Sequence, residues 1–162
     1  MSELVTRSKR QSYMNTGTAA EPVWSLIGEG FTNLAESKNP TEYARQYVHE
    51  STKRTDITGF APSVAYSADI YTENPVIETI VEITDKELVG TDAQRDVVNV
   101  NLFEPVANSS SEFVAYKRTY SVIPNTLGDG TDALIYTGNM KAVGDSVKGK
   151  FNTSTKTFTA DT

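Results

Sequence analysis

The chain has no cysteine and a single histidine in 162 residues. Without cysteine there is no disulfide framework, no zinc–thiolate centre and no thiol nucleophile. One histidine excludes every site that needs two imidazoles and leaves His49 as the sole possible base of a Ser-His-Asp triad. No apolar run reaches the roughly 18 residues that a membrane-spanning helix needs. The polar N-terminus carries no pattern of a secretory signal, so assembly in a cytoplasm and no membrane anchor are expected. At about 100–200 residues per domain, the length fits one domain with arms. A chain of this size buries roughly 68–70% of its unfolded surface, so a core forms without staples.

Patterns that carry chemistry are also scarce. Gly28-x-Gly30 lacks the third glycine and the following helix of a dinucleotide fingerprint. Gly144–Gly149 lacks the Gly-Lys-Ser/Thr ending of a phosphate loop, and no serine sits in a nucleophile elbow. Glu78 and Glu82 share a helical face, where such glutamates are usually solvated. Asp129 and Asp132 lack the remaining ligands of a calcium loop, and Lys148 with Lys150 is too small a basic patch for nucleic acid. No catalytic residue, cofactor or metal site is expected, and the chain reads as structural rather than enzymatic.

The formal charge is −6, and its distribution is uneven. Residues 1–60 and 106–162 are nearly balanced, whereas residues 61–105 carry a balance of −7. Such a chain does not attract nucleic acid through phosphate neutralisation. The excess reads either as a solvated acidic helix or as a surface that repels a polyanion.

Residues 1–20 show no sustained period and read as an N-terminal arm, with a small basic cluster at Arg7, Lys9 and Arg10. Residues 21–162 then form one β-rich domain. Pro22–Gly28 is a short β segment, and Phe31–Thr41 is loop-like with a turn at Asn39-Pro40. Tyr43–Glu50 alternates as a half-exposed strand, and Ser51–Gly59 is a polar loop that includes Lys53, Arg54 and Asp56. In the next strand Val64, Tyr66, Ala68 and Ile70 share one face, with Ser67 and Asp69 on the other. Asn74 as cap and Pro75 as first residue open the one helix, over about 75–88. Ile77, Ile80 and Val81 are its core stripe, and Gly90 is its expected stop. Strands return over 96–106, with Asn99 and Asn101 read as outward, and over 112–123. A loop over 124–131 with an Asp129-Gly130 turn follows, then strands over 133–143, 147–151 and 155–159. Threonine occurs 21 times and, with valine and tyrosine, suits pleated surfaces. The fold class is therefore mainly β (α+β): an antiparallel β-sandwich or rolled sheet with one flanking α-helix.

The order and spacing of Glu21–Gly30 (EPVWSLIGEG), Asn39-Pro40, Tyr47–Glu50, Tyr66–Tyr71, Asn74-Pro75-Val76 and Gly138–Asp145 (GNMKAVGD) resemble those of the major tail tube protein of long-tailed, non-contractile (siphovirus-like) phages of Gram-positive bacteria. The resemblance spans nearly the whole chain, and Gly90-Thr91-Asp92-Ala93, Lys148–Phe151 and Thr157-Phe158-Thr159 also carry it. The resemblance implies a phage tail tube fold whose subunits form hexameric rings. The rings stack as a hollow tube around a tape-measure protein and meet the tail terminator and baseplate or distal tail proteins. Genome DNA passes through the lumen without specific binding, within a virion tail. Arg7, Lys9, Arg10, Lys53, Arg54 and Asp56 are then expected at contacts between rings or subunits, with an inter-ring loop over about 51–59. Ser67, Asp69, Asn99 and Asn101 are expected to line the lumen. The alternatives are an inner tube subunit of a contractile tail, tailocin or secretion system, or a non-catalytic binding β-sandwich.

Overall fold

A computed structural model describes residues 2–128 and 130–161. Asp129, half of the expected Asp129-Gly130 turn and of the Asp129/Asp132 pair, lies outside them. Eleven strands and one α-helix are described: β1 Arg10–Asn15, β2 Trp24–Leu26, β3 Phe31–Ser37, β4 Pro40–Arg45, β5 Arg54–Phe60 and β6 Ser63–Asp69. Helix α1 spans Pro75–Asp85 and is followed by β7 Gln94–Pro105, β8 Glu112–Leu127, β9 Ile135–Ala142, β10 Val147–Asn152 and β11 Thr157–Ala160. Nine strands join one antiparallel sheet in the order β2-β1-β7-β8-β9-β6-β3, with β10 and β11 branching from β8. The expected mainly β, antiparallel architecture with one helix is present.

The 16-residue β8 organises the sheet. Its first part pairs with β10 through Glu112–Lys117, and its last part pairs with β9 from Tyr120 onward. The sheet rolls at this strand. Met14 and Val97 from one half then meet Val64, Tyr66 and Met140 from the other in one buried cluster, closed by Val76, Ile80 and Ile83 of α1. A second cluster of Tyr13, Trp24, Val98, Val100, Ala115 and Phe151 occupies the opposite face of β1, β7 and β8. Gly30 sits where β3 leaves this core. Its φ is +90°, and a Cβ there would lie 2.6 Å from the Asp69 carbonyl oxygen, so only glycine fits without a shift.

The helix begins as its sequence requires. The Asn74 side chain accepts from the Val76 and Ile77 amides at 3.1 and 3.3 Å, and Pro75 occupies the first turn. Its core stripe is Val76, Ile77, Ile80 and Ile83. Val81, expected in that stripe, is half-buried at the edge, and Ile83 takes its place. The helix stops at Asp85, before Gly90. The Leu88 amide bonds the Ile83 carbonyl at 3.1 Å and the Glu87 amide bonds Thr84 at 3.3 Å. Glu87 adopts φ 51°, so this is a Schellman cap with glutamate in the left-handed position.

Several expected boundaries move. Residues 10–15 are no arm: they form β1, paired with β7, and Met14 is fully buried. Phe31–Ser37 is a strand rather than a loop, and β8 runs on through Leu127. Strand β4 ends at Arg45, and most of the expected 51–59 loop is strand β5.

Candidate assembly interface

Strands β4 and β5 form a two-stranded sheet of their own, separate from the main one, in register from Pro40↔Phe60 to Arg45↔Arg54. Nearly every residue of this hairpin is exposed, including Tyr43, Tyr47, Val48, Ile57 and Phe60. A hairpin of two strands is marginal alone in water. Here arginines tie it together. The Arg45 guanidinium lies over Tyr43 at 4.7 Å, pairs with Asp56 across the ribbon and donates to the Tyr47 hydroxyl at 2.9 Å. Arg54 pairs with Glu50 at 3.0 Å and covers Tyr47 at 5.2 Å. These ion pairs and cation–π contacts hold the turn in one shape. His49 sits at the tip with its ring 6.5 Å from Tyr47.

Besides β2 and β11, which each pair with a single strand, the main sheet has two further open edges among the described residues. Strand β3 pairs only with β6. Strand β7 begins opposite Ser121, so Val122–Leu127 of β8 has β9 on one side and, among the described residues, no strand on the other. The four-stranded segment β3-β6-β9-β8 thus ends in an unpaired edge on each side. Unpaired backbone groups along such edges are a template for adding a strand. The outward face of this segment carries mostly small and polar side chains, with Ile123, Ile135 and Lys141 among them. Ser63, Ala65, Ser67 and Asp69 alternate with the buried Val64, Tyr66 and Ala68.

The expected site residues divide accordingly. Ser67 and Asp69 lie on that outward face. Asn99 and Asn101 lie on the inner side of the roll: Asn101 is buried and accepts from Arg10 at 2.7 Å, and Asn99 accepts from Ser12 at 2.6 Å. They share no surface with Ser67, because they lie on the side of β7 that carries Val97 into the interior cluster, and Ser12 and Arg10 are their cross-strand neighbours on β1. Arg10 is committed to the same cluster, whereas Arg7 bonds the carbonyls of Arg10 and Leu34, and Lys9 is exposed. Lys53 is exposed near the hairpin tip, and Arg54 and Asp56 face their own hairpin partners. Sequence reading missed the free edges, which only the pairing register reveals.

Two buried phenols frame the interior. Burial pushes the Tyr66 hydroxyl up to about 12. Tyr120 is also pushed up to about 12, by burial first and then by the adjacent Glu36 carboxylate, to which it donates at 3.2 Å. The Glu36 carboxyl lies below its usual range despite burial, because Lys38, Tyr120 and Arg10 favour its ionised form. Among the described residues no group of three or more His, Asp or Glu is placed to hold a metal, and no helix is long and apolar enough to cross a membrane.

No protein-family model and no curated protein matches the chain. Solved structures do. A chain of the anti-feeding prophage baseplate, determined by cryo-electron microscopy with six-fold symmetry, superposes with a TM-score of 0.52 at 12% identity. The match covers 91% of this chain and 97% of that one, so the two share a fold. A chain of the anti-feeding prophage tube-terminating cap is similar at a TM-score of 0.48 and 10% identity, over 88% and 89% of the two chains.

Proposed function

We propose that this chain is a structural subunit of a phage tail or a tail-like particle, and that it assembles with copies of itself into stacked hexameric rings. The observation that carries the reading is the Pro40–Phe60 hairpin, which exposes Tyr43, Val48, Ile57 and Phe60 with no cover from its own body. Apolar side chains on a ribbon that is marginal alone call for a partner surface. The open edges add to this. Pairing β3 of one copy with Val122–Leu127 of the next would close the four-stranded segments into a ring and remove the edges. The fold shared with an anti-feeding prophage baseplate chain points to the same kind of particle.

In this reading the rings form a hollow tail tube around a tape-measure protein, bounded by terminator and baseplate or distal tail proteins, and DNA passes along the lumen. Ser67 and Asp69 face the lumen. The hairpin tip with Lys53, and the N-terminal segment with Arg7 and Lys9, meet the neighbouring ring. No catalysis is assigned. A second reading, an inner tube or tube-end subunit of a contractile tail, tailocin or secretion system, is favoured by the near-complete coverage of the anti-feeding prophage chain. Negative-stain microscopy of the purified protein tests the assembly. Six-fold rings or tubes are expected, and they should be lost when the hairpin tip is shortened. A strict monomer at every concentration and salt overturns the proposal and leaves a non-catalytic binding β-sandwich. Co-assembly with a sheath protein encoded beside the gene selects the contractile reading.

A further inference from the structure

At the open mouth of the roll, beside the apolar core, lies a polar cavity of about 460 Å³. Arg10, Lys38 and Arg118 line it against one carboxylate, Glu36. The pairings there do not balance. One Glu36 oxygen takes the Lys38 ammonium at 3.0 Å, and the other accepts the Tyr120 hydroxyl at 3.2 Å. Arg10 donates to Asn101, a neutral acceptor. The Nε of Arg118 is buried and has no partner among the described residues. Two guanidiniums therefore border a cavity whose single carboxylate is already engaged on both oxygens.

Arg118 is itself half-buried, and its Nε donor, buried without an acceptor, carries a desolvation penalty. The planar guanidinium fork matches the two oxygens of a carboxylate or phosphate. We infer that this mouth is an oxyanion-binding site that takes a carboxylate or phosphate group on Arg118 and Arg10, with Lys38 at the rim. The site stands independently of the tube reading. Its anion comes either from solution or from an acidic side chain of a second copy, since residues 61–105 carry a balance of −7.

The test uses the unassembled full-length chain, with the arginine Nε–H resonances followed by NMR. Inorganic phosphate and acetate are titrated at constant ionic strength against chloride. The Arg118 resonance should shift saturably. Arg118→Gln should weaken binding about tenfold, the range of one charged hydrogen bond. Lys38→Gln, a change at a mostly exposed side chain, should weaken it less and leave the fold intact. Glu36→Gln should strengthen it, because the competing negative charge is removed. A synthetic peptide of residues 85–92 that displaces phosphate assigns the source to a second copy, and phosphate binding that the peptide does not affect assigns it to free anion. No saturable shift with phosphate or acetate, or binding unchanged in Arg118→Gln, overturns the inference.

Discussion

The helix stripe gives the sharpest stability test, because Ile83 and Val81 sit two residues apart in different surroundings. Ile83 is 1% exposed within the main cluster, whereas Val81 is half-buried. Ile83→Ala deletes three buried carbons, worth roughly 2.4 kcal/mol in transfer free energy. The cavity left in the main cluster raises the cost to about 3–4 kcal/mol. Val81→Ala deletes two half-buried carbons, roughly 0.8 kcal/mol, of which alanine's better helix propensity recovers about 0.5. The net difference between the variants is about 3 kcal/mol. Urea unfolding of the monomer, followed by circular dichroism, should show a lower midpoint for Ile83→Ala at unchanged slope. In a domain of this size Tm should fall by roughly 6–16 °C. Equal costs for the two substitutions would refute the packing assigned to α1.

Glu87 occupies a left-handed position, so Glu87→Gly should raise stability by about 0.5–1 kcal/mol, read as a higher urea midpoint. Asn74→Ala should lower it by about 1 kcal/mol through the loss of two cap bonds to Val76 and Ile77. Arg45→Ala removes the contacts with Tyr43, Tyr47 and Asp56 on an exposed ribbon. It should leave the unfolding midpoint of the monomer almost unchanged while reducing ring or tube formation in microscopy. Tyr66 and Tyr120 are raised from 10.0 to about 12, so the folded state holds their protons more tightly than the unfolded chain. That stabilisation is complete below pH 10 and is lost as pH rises toward 12. Absorbance of ionised tyrosine should therefore grow cooperatively with alkaline unfolding. For Glu36, held below its usual range, the sign is opposite: its contribution is present above the ordinary carboxylate value and disappears as acid titrates the folded carboxylate. Glu36→Gln should flatten the acid limb of the stability profile.

Strand β6 was legible because one of its faces is buried and the other is not: Val64, Tyr66 and Ala68 alternate with half-exposed neighbours. The helix start was legible because Asn74 and Pro75 act locally. Strand β1 was not legible, since Ser12, Tyr13, Met14 and Asn15 are all buried and a strand covered on both faces has no wet side to set a period. Strand β3 escaped notice because its Asn33, Ala35 and Ser37 lie exposed beside a free edge. The helix end was displaced by Glu87 standing where glycine is usual. Asn99 and Asn101 show the deeper limit. Alternation correctly separates them from Val98 and Val100, yet it cannot say which side meets solvent. Their partners, Ser12 and Arg10, lie 87 and 91 residues away in the chain, beyond any local window.

The placement of charge changes how a tube of this chain would treat DNA. Repulsion by an acidic wall requires the excess of residues 61–105 to reach the lumen. Glu78, Glu82 and Asp85 belong instead to the exposed side of α1, away from the outward face of β3, β6 and β9. Along those three strands, the outward positions that alternate with the buried ones carry one acid, Asp69, and one base, Lys141. Such a face is nearly neutral. Attraction to DNA grows with each phosphate neutralised by lysine or arginine, through counterion release. One lysine per copy, offset by one aspartate and set among serine, alanine, threonine, asparagine and Ile135, supplies almost none of it. A lumen formed by this face would hold DNA weakly because its charges balance, and Glu78, Glu82 and Asp85 on α1 would act elsewhere on the subunit.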